Sequence, residues 1–256
     1  MEILAITQQK GGTGKTTTAA AIGAGLLHQG KRVLFIDLDP QGNLSFMLKG
    51  DATRTNALDL LTGKTTARKA PQPLDTGDKG TGAIIPATPY LSGADATIAG
   101  TGREYRLAEA LKPVTGLYDY CIIDTPPALG ILTVNALAAA DKVIIPCLAD
   151  IFSIQATGQI AETINGIRAN CNPGLQIAGI LLTRYTARQN LTKETTEVLE
   201  NAARTIGTRL FNTRIRESVS IREAQAIGKD IFSFNPRSNG AADYAALLNE
   251  ITEQNQ

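Results

Sequence analysis

One stretch, Gln9-Lys10-Gly11-Gly12-Thr13-Gly14-Lys15-Thr16-Thr17, limits what this chain can fold into more than any other. It follows a short apolar run, Ile3-Leu4-Ala5-Ile6, that reads as a buried parallel strand. It precedes Ala19-Ala20-Ala21-Ile22 and Leu26-Leu27, which read as a helix packed on a sheet. A strand, a glycine-rich turn ending in Lys-Thr, and a helix make a phosphate-binding unit. The glycines let the backbone approach an anion, and successive N–H groups form a nest for it. The helix N-terminus adds the positive end of its dipole. In that setting Lys15 reaches the β- and γ-phosphates of a nucleotide and the Thr16 hydroxyl ligates Mg²⁺. The stretch departs from the usual pattern in one respect. Gln9 stands where the first glycine is expected, and a second lysine, Lys10, precedes Gly11. Two lysines are more cation than one triphosphate needs from a single chain.

A length of 256 residues with 43% hydrophobic content fits one large α/β domain over residues 1–256. A net charge of +1 gives no strong field for nucleic acid from the whole molecule, so any basic surface is local. Trp is absent and aromatics are few, which argues against recognition by stacked bases. Cys121, Cys147 and Cys171 are dispersed without a C-x-x-C pair and read as free thiols in a reducing compartment. The N-terminus does not read as a signal peptide, and no apolar run approaches the roughly 20 residues that span a bilayer.

Strand and helix patterns alternate nearly throughout. Strands are expected at 33–36, 83–87, 118–123, 142–146 and 177–182, and helices at 103–111, 132–140, 154–169, 191–206 and 241–252. Residues 42–61 carry helical spacing interrupted around Gly50-Asp51. Residues 63–82, rich in Thr, Gly, Lys and Pro, read as a surface excursion. Repeated strand–helix units imply a mainly parallel sheet flanked by helices on both faces. Lone His28, near a helix end, reads as a solvated or capping residue.

In such a sheet, ligands sit at the carboxyl ends of the strands. Asp124 ends one apolar run, where a Mg²⁺-holding aspartate is expected; Asp37 and Asp39 end another. Acidic residues there also serve as caps and turn formers.

The three stretches 9–17, Phe35-Ile36-Asp37-Leu38-Asp39-Pro40-Gln41-Gly42-Asn43 and Ile122-Ile123-Asp124-Thr125-Pro126-Pro127-Ala128-Leu129-Gly130 resemble the motifs of the ParA/MinD group of deviant Walker ATPases. The likeness is greatest to the small Soj-like ParA partition proteins. It extends through Ile85-Pro86-Ala87-Thr88, Leu181-Leu182-Thr183, 187–190 and 235–240, leaving 63–82 as the exception. The resemblance implies an ATP hydrolase using ATP/ADP and Mg²⁺. Lys10, Gly11, Gly12, Thr13, Gly14, Lys15, Thr16 and Thr17 would bind the nucleotide. Lys10 would reach across a homodimer to the partner's phosphates, the kind of cation that elsewhere is an arginine finger. Asp39 would orient the attacking water, with Lys10 and Lys15 beside it as the catalytic set. Thr16, Asp37 and Asp124 would hold the metal.

The C-terminal segment 241–256 is acidic, unlike the basic amphipathic tail of MinD-like membrane ATPases, so no membrane partner is expected. No extension precedes the first strand, so no helix-turn-helix is expected. Between Arg184 and Arg237 stand ten basic and six acidic residues, an excess that suits a phosphate-contacting stripe. The resemblance places non-specific DNA binding at Arg188, with Arg216 and Arg222 as further candidates. It also implies a ParB-like stimulator and a cytoplasmic, nucleoid-associated protein. The alternative within the group is a nucleotide switch that positions a protein cargo or acts at a membrane.

Overall fold

The computed structural model describes residues 1–77, 79–186 and 191–252, with side chains of 191–195 excluded. In chain order the elements are β1 Glu2–Ile6, α1 Lys15–His28, β2 Val33–Asp37, α2 Asn43–Met47, α3 Ala57–Leu61, β3 Gln72–Pro73 and β4 Gly82–Ile85. Then come α4 Ala94–Thr97, α5 Arg106–Leu111, β5 Tyr120–Asp124, α6 Ile131–Ala139, β6 Lys142–Cys147 and α7 Ile151–Asn170. The chain continues with β7 Gln176–Tyr185, α8 Leu191–Thr205, β8 Leu210–Arg216, α9 Val219–Ala226, α10 Ile231–Phe234 and α11 Asn239–Thr252. The sheet order is β3-β4-β2-β5-β1-β6-β7-β8, parallel except for β3, which pairs antiparallel with β4.

The apolar runs are continuous because both faces of the sheet are covered. Successive residues point to opposite faces, so each run divides between two cores. Ile3, Ala5, Leu34, Ile36, Cys121 and Ile123 join the core shared with α3, α5, α6 and α7. Leu4, Ile6, Val33, Phe35 and Ile122 join the other, built with α1 and α11. Helix α1 lies close on the sheet because Gly23 leaves room: a Cβ there would fall 2.1 Å from Phe35 Cε1.

Register carries this packing to function. Asp37 of β2 and Ile6 of β1 both pair with Asp124 of β5, so three strands end level at one edge. The phosphate loop springs from that edge. The segment 63–82 is anchored rather than loose: Ala67, Ala70 and Gln72 are buried, and the Gln72 amide donates to the carbonyls of Asp51 and Thr55. Five elements were not expected from the sequence: β3, α4, β8, α9 and α10. In β8 only Phe211 and Ile215 are buried, and polar residues between them hide the strand pattern. Helix α11 spends its apolar residues Tyr244, Leu247, Leu248 and Ile251 in the core. Among the described residues no helix is long and apolar enough to cross a membrane. Cys121 and Cys147 are buried and Cys171 is half-buried, all as free thiols. His28 closes α1 with its ring 3.2 Å from Asp230.

Candidate nucleotide site

Between β1 and α1 the loop turns through Gly12 at φ 75° and Gly14 at φ 87°, left-handed values that favour glycine. Gly14 stands at the N-cap of α1 without a side-chain cap, so the first N–H groups of the helix keep their capacity for an anion. The loop is clamped from the far side of the sheet edge: the Thr183 hydroxyl on β7 donates to the Thr13 carbonyl at 2.8 Å. Lys15 is buried under the loop. Burial lowers its pKa, opposed by the charges of Asp124 and Asp39. Lys10 goes elsewhere. Its ammonium lies 2.6 Å from Asp150 at the rim and 5.8 Å from the centroid of the Phe152 ring.

The level strand ends bring three carboxylates together. Asp37 is fully buried and accepts from the Ser45 hydroxyl at 2.7 Å, the Ser45 N–H at 2.8 Å and the Asp39 N–H at 3.1 Å. Burial still pushes it up to about 6, with help from the Asp39 charge. Asp39, almost buried, accepts from the Gln41 N–H at 3.0 Å. Asp124 is fully buried, and burial followed by the Asp37 charge drives its carboxyl well above the usual range. The Thr16 hydroxyl and Lys15 pull the other way, yet no hydrogen bond of ordinary geometry reaches either Asp124 oxygen.

A cavity of about 470 Å³ opens over these groups. One end is the loop with Lys15, Asp39 and Pro127; the other is lined by Ile215, Ile221 and Tyr244. The Gln225 amide reaches Thr17 at 2.6 Å, and the Tyr244 and Thr18 hydroxyls are 3.3 Å apart. Arg216 and Arg222 line this same cavity, and both are ion-paired within the chain. Arg216 meets Asp243 at 2.6 Å. Arg222 meets Glu217, which also accepts from Arg184 at 2.8 Å. Arg188 lies outside the described residues.

A family profile described as an AAA domain matches residues 1–177. The sporulation initiation inhibitor protein Soj of Bacillus subtilis is 38% identical over 98% of this chain and 98% of its own. The chromosome partitioning protein ParA of Myxococcus xanthus is 35% identical over 98% of this chain and 88% of its own. The chain belongs to the Soj/ParA partition ATPases. A Mycobacterium smegmatis structure described as cobyrinic acid a,c-diamide synthase, with bound ADP and magnesium, superposes with a TM-score of 0.81. It is 34% identical and covers 97% of this chain and 93% of its own.

The two buried, unpartnered oxygens of Asp124 in this partition ATPase fit a divalent cation. Among the described residues no group of three or more His, Cys, Asp or Glu side chains could hold a metal by itself. Mg²⁺ is typically held by one or two carboxylates together with substrate phosphates. Sequence reasoning about this ATPase missed Asp150, Gln225 and Tyr244. Asp150 carried a usable signal, since it follows an apolar strand just as Asp39 and Asp124 do. The helix after it begins at Ile151, three residues before the apolar spacing predicts.

Proposed function

We propose that this Mg-dependent ATPase dimerises on binding ATP, holds DNA without regard to sequence in that state, and releases it on hydrolysis. The observation that carries the reading is the parting of the two lysines. Lys15 is buried beside Asp124 and Asp39, while Lys10 extends to Asp150 at the rim. In this reading Lys15 answers the chain's own triphosphate and Lys10 serves the phosphates that a second copy brings. Gly11 to Gly14, Thr16 and Thr17 complete the phosphate cradle. Thr16, Asp37 and Asp124 hold Mg²⁺, which when bound neutralises charge on the phosphate oxygens. Asp39, its carboxylate steadied by the Gln41 N–H, orients the attacking water. Phosphoryl transfer asks little covalent chemistry of the protein, so positioning and charge dominate. Turnover is slow until a ParB-like DNA-binding partner accelerates it, with the protein at the nucleoid in the cytoplasm.

Arg188, Arg216 and Arg222 are the proposed DNA contacts. For Arg216 and Arg222, contact with DNA means exchanging the carboxylates of Asp243 and Glu217 for phosphate. The deciding experiment is sizing of Asp39→Ala with ATP, with and without DNA. A long-lived dimer that binds DNA is expected. A variant that stays monomeric and ignores DNA would sink the reading.

A further inference from the structure

Asp150 holds the lysine that the proposed reaction needs elsewhere. It is the N-cap of α7, following β6, with extended backbone at φ −142° and ψ 156°. Its Oδ1 accepts from Lys10 Nζ at 2.6 Å and from the Ser153 N–H at 3.0 Å; its Oδ2 accepts from the Ser153 hydroxyl at 3.0 Å. Burial works to raise the Asp150 pKa, but the Lys10 and Ser153 donors prevail and hold the carboxyl below its usual range. The Phe152 ring steadies the ammonium from a second direction. The lysine's own backbone is tethered too, its carbonyl accepting from the Thr13 hydroxyl at 3.3 Å.

We infer that Asp150 is a positioning residue for Lys10: it keeps the ammonium on its own protomer, and ATP-dependent dimerisation must exchange that carboxylate for a phosphate of the second copy. The inference rests on the reading of Lys10 given above. An ammonium already neutralised by a carboxylate offers little net charge to an incoming phosphate. The pair is also only half-buried, with side-chain exposures of 29% and 35%, so it is weak enough to exchange reversibly. Asp150 thereby sets the threshold at which copies pair and guards against pairing without nucleotide.

The test is Asp150→Asn, because Asn caps a helix as well as Asp but lacks the charge. Dimerisation is measured by sedimentation equilibrium with a non-hydrolysable ATP analogue and Mg²⁺. Two contacts are released per dimer, each worth about threefold for a partly exposed pair, so the variant should dimerise about tenfold more tightly. The gap between variant and wild type should shrink at high salt, which screens an ion pair but not a cap. Ser153→Ala, which removes the hydroxyl bond to Oδ2 but keeps the N–H bond of the cap and the charge, should leave the dimer constant near wild type. If Asp150→Asn dimerises no more tightly than a wild type that does dimerise, the positioning role is overturned and the dimer reading stands. A wild type that stays monomeric with the analogue overturns both.

Discussion

Replacing Asp124 by Asn should make the ligand-free protein more stable while removing its response to Mg-ATP. Both Asp124 oxygens are buried without a hydrogen bond of ordinary geometry, and burial with the like charge of Asp37 outweighs the pull of the Thr16 hydroxyl and Lys15. Leaving such a group unsatisfied costs about 1–3 kcal/mol. An amide of the same shape carries no charge, does not repel Asp37, and can donate to it. The gain should therefore be about 1–3 kcal/mol, or about 2–12 °C in melting temperature for a domain of this size. Wild type should recover the deficit when Mg-ATP is added, since a ligand at a hundred times its Kd stabilises by about 2.7 kcal/mol. The assay is thermal unfolding of both proteins with chelator and then with excess Mg-ATP. Two lines should cross: the variant leads without ligand, and wild type gains the more with it. An Asp124→Asn protein that melts below wild type in chelator would refute the reasoning, because it would mean that the native carboxylate is satisfied without a cation.

Gly23→Ala should weaken the fold despite the helix preference for Ala. The new Cβ would meet the fully buried Phe35 ring at 2.1 Å, so the cost belongs at the top of the roughly 1–3 kcal/mol range for overpacking. Helix propensity returns about 1 kcal/mol, leaving a net loss of about 2 kcal/mol, readable by urea unfolding. Asp119→Asn should alter acid stability at the base of β5. Arg32 donates to Asp119 through its guanidinium at 2.7 Å and its backbone N–H at 2.8 Å, holding the carboxyl down to about 2. A folded pKa below the unfolded one stabilises above the unfolded pKa of about 3.9 and loses that stabilisation as pH falls through the folded value. Wild type should lead the variant slightly near neutral pH, and the lead should vanish as pH falls from about 4 to about 2.

What the sequence made legible follows from how local each signal is. The phosphate loop could be read because its strand, glycines, Lys-Thr and helix are contiguous. Asp37, Asp39 and Asp124 could be read because each follows a continuous apolar run, and parallel register then puts them side by side. The cavity's far wall could not. It depends on Ile215 and Ile221, which come from β8 and α9, and on Tyr244 from α11, which meet only through tertiary packing. The charge count over 184–237 was right as arithmetic, but it did not show that Arg216 and Arg222 already have carboxylate partners. Lys10 stood out as surplus; nothing local named Asp150, 140 residues away, as its partner.

Helix α11 supplies Asp243 to Arg216 and Tyr244 to Thr18, so the wall facing the first helix comes from the C-terminal end of the described chain. Synthesis runs in the opposite order. A nascent chain makes its phosphate loop early, whereas Asp243 and Tyr244 are still to be made when β1, β2, β5 and β6 are complete. The cavity's wall is therefore complete only once the last of the described helices has been made.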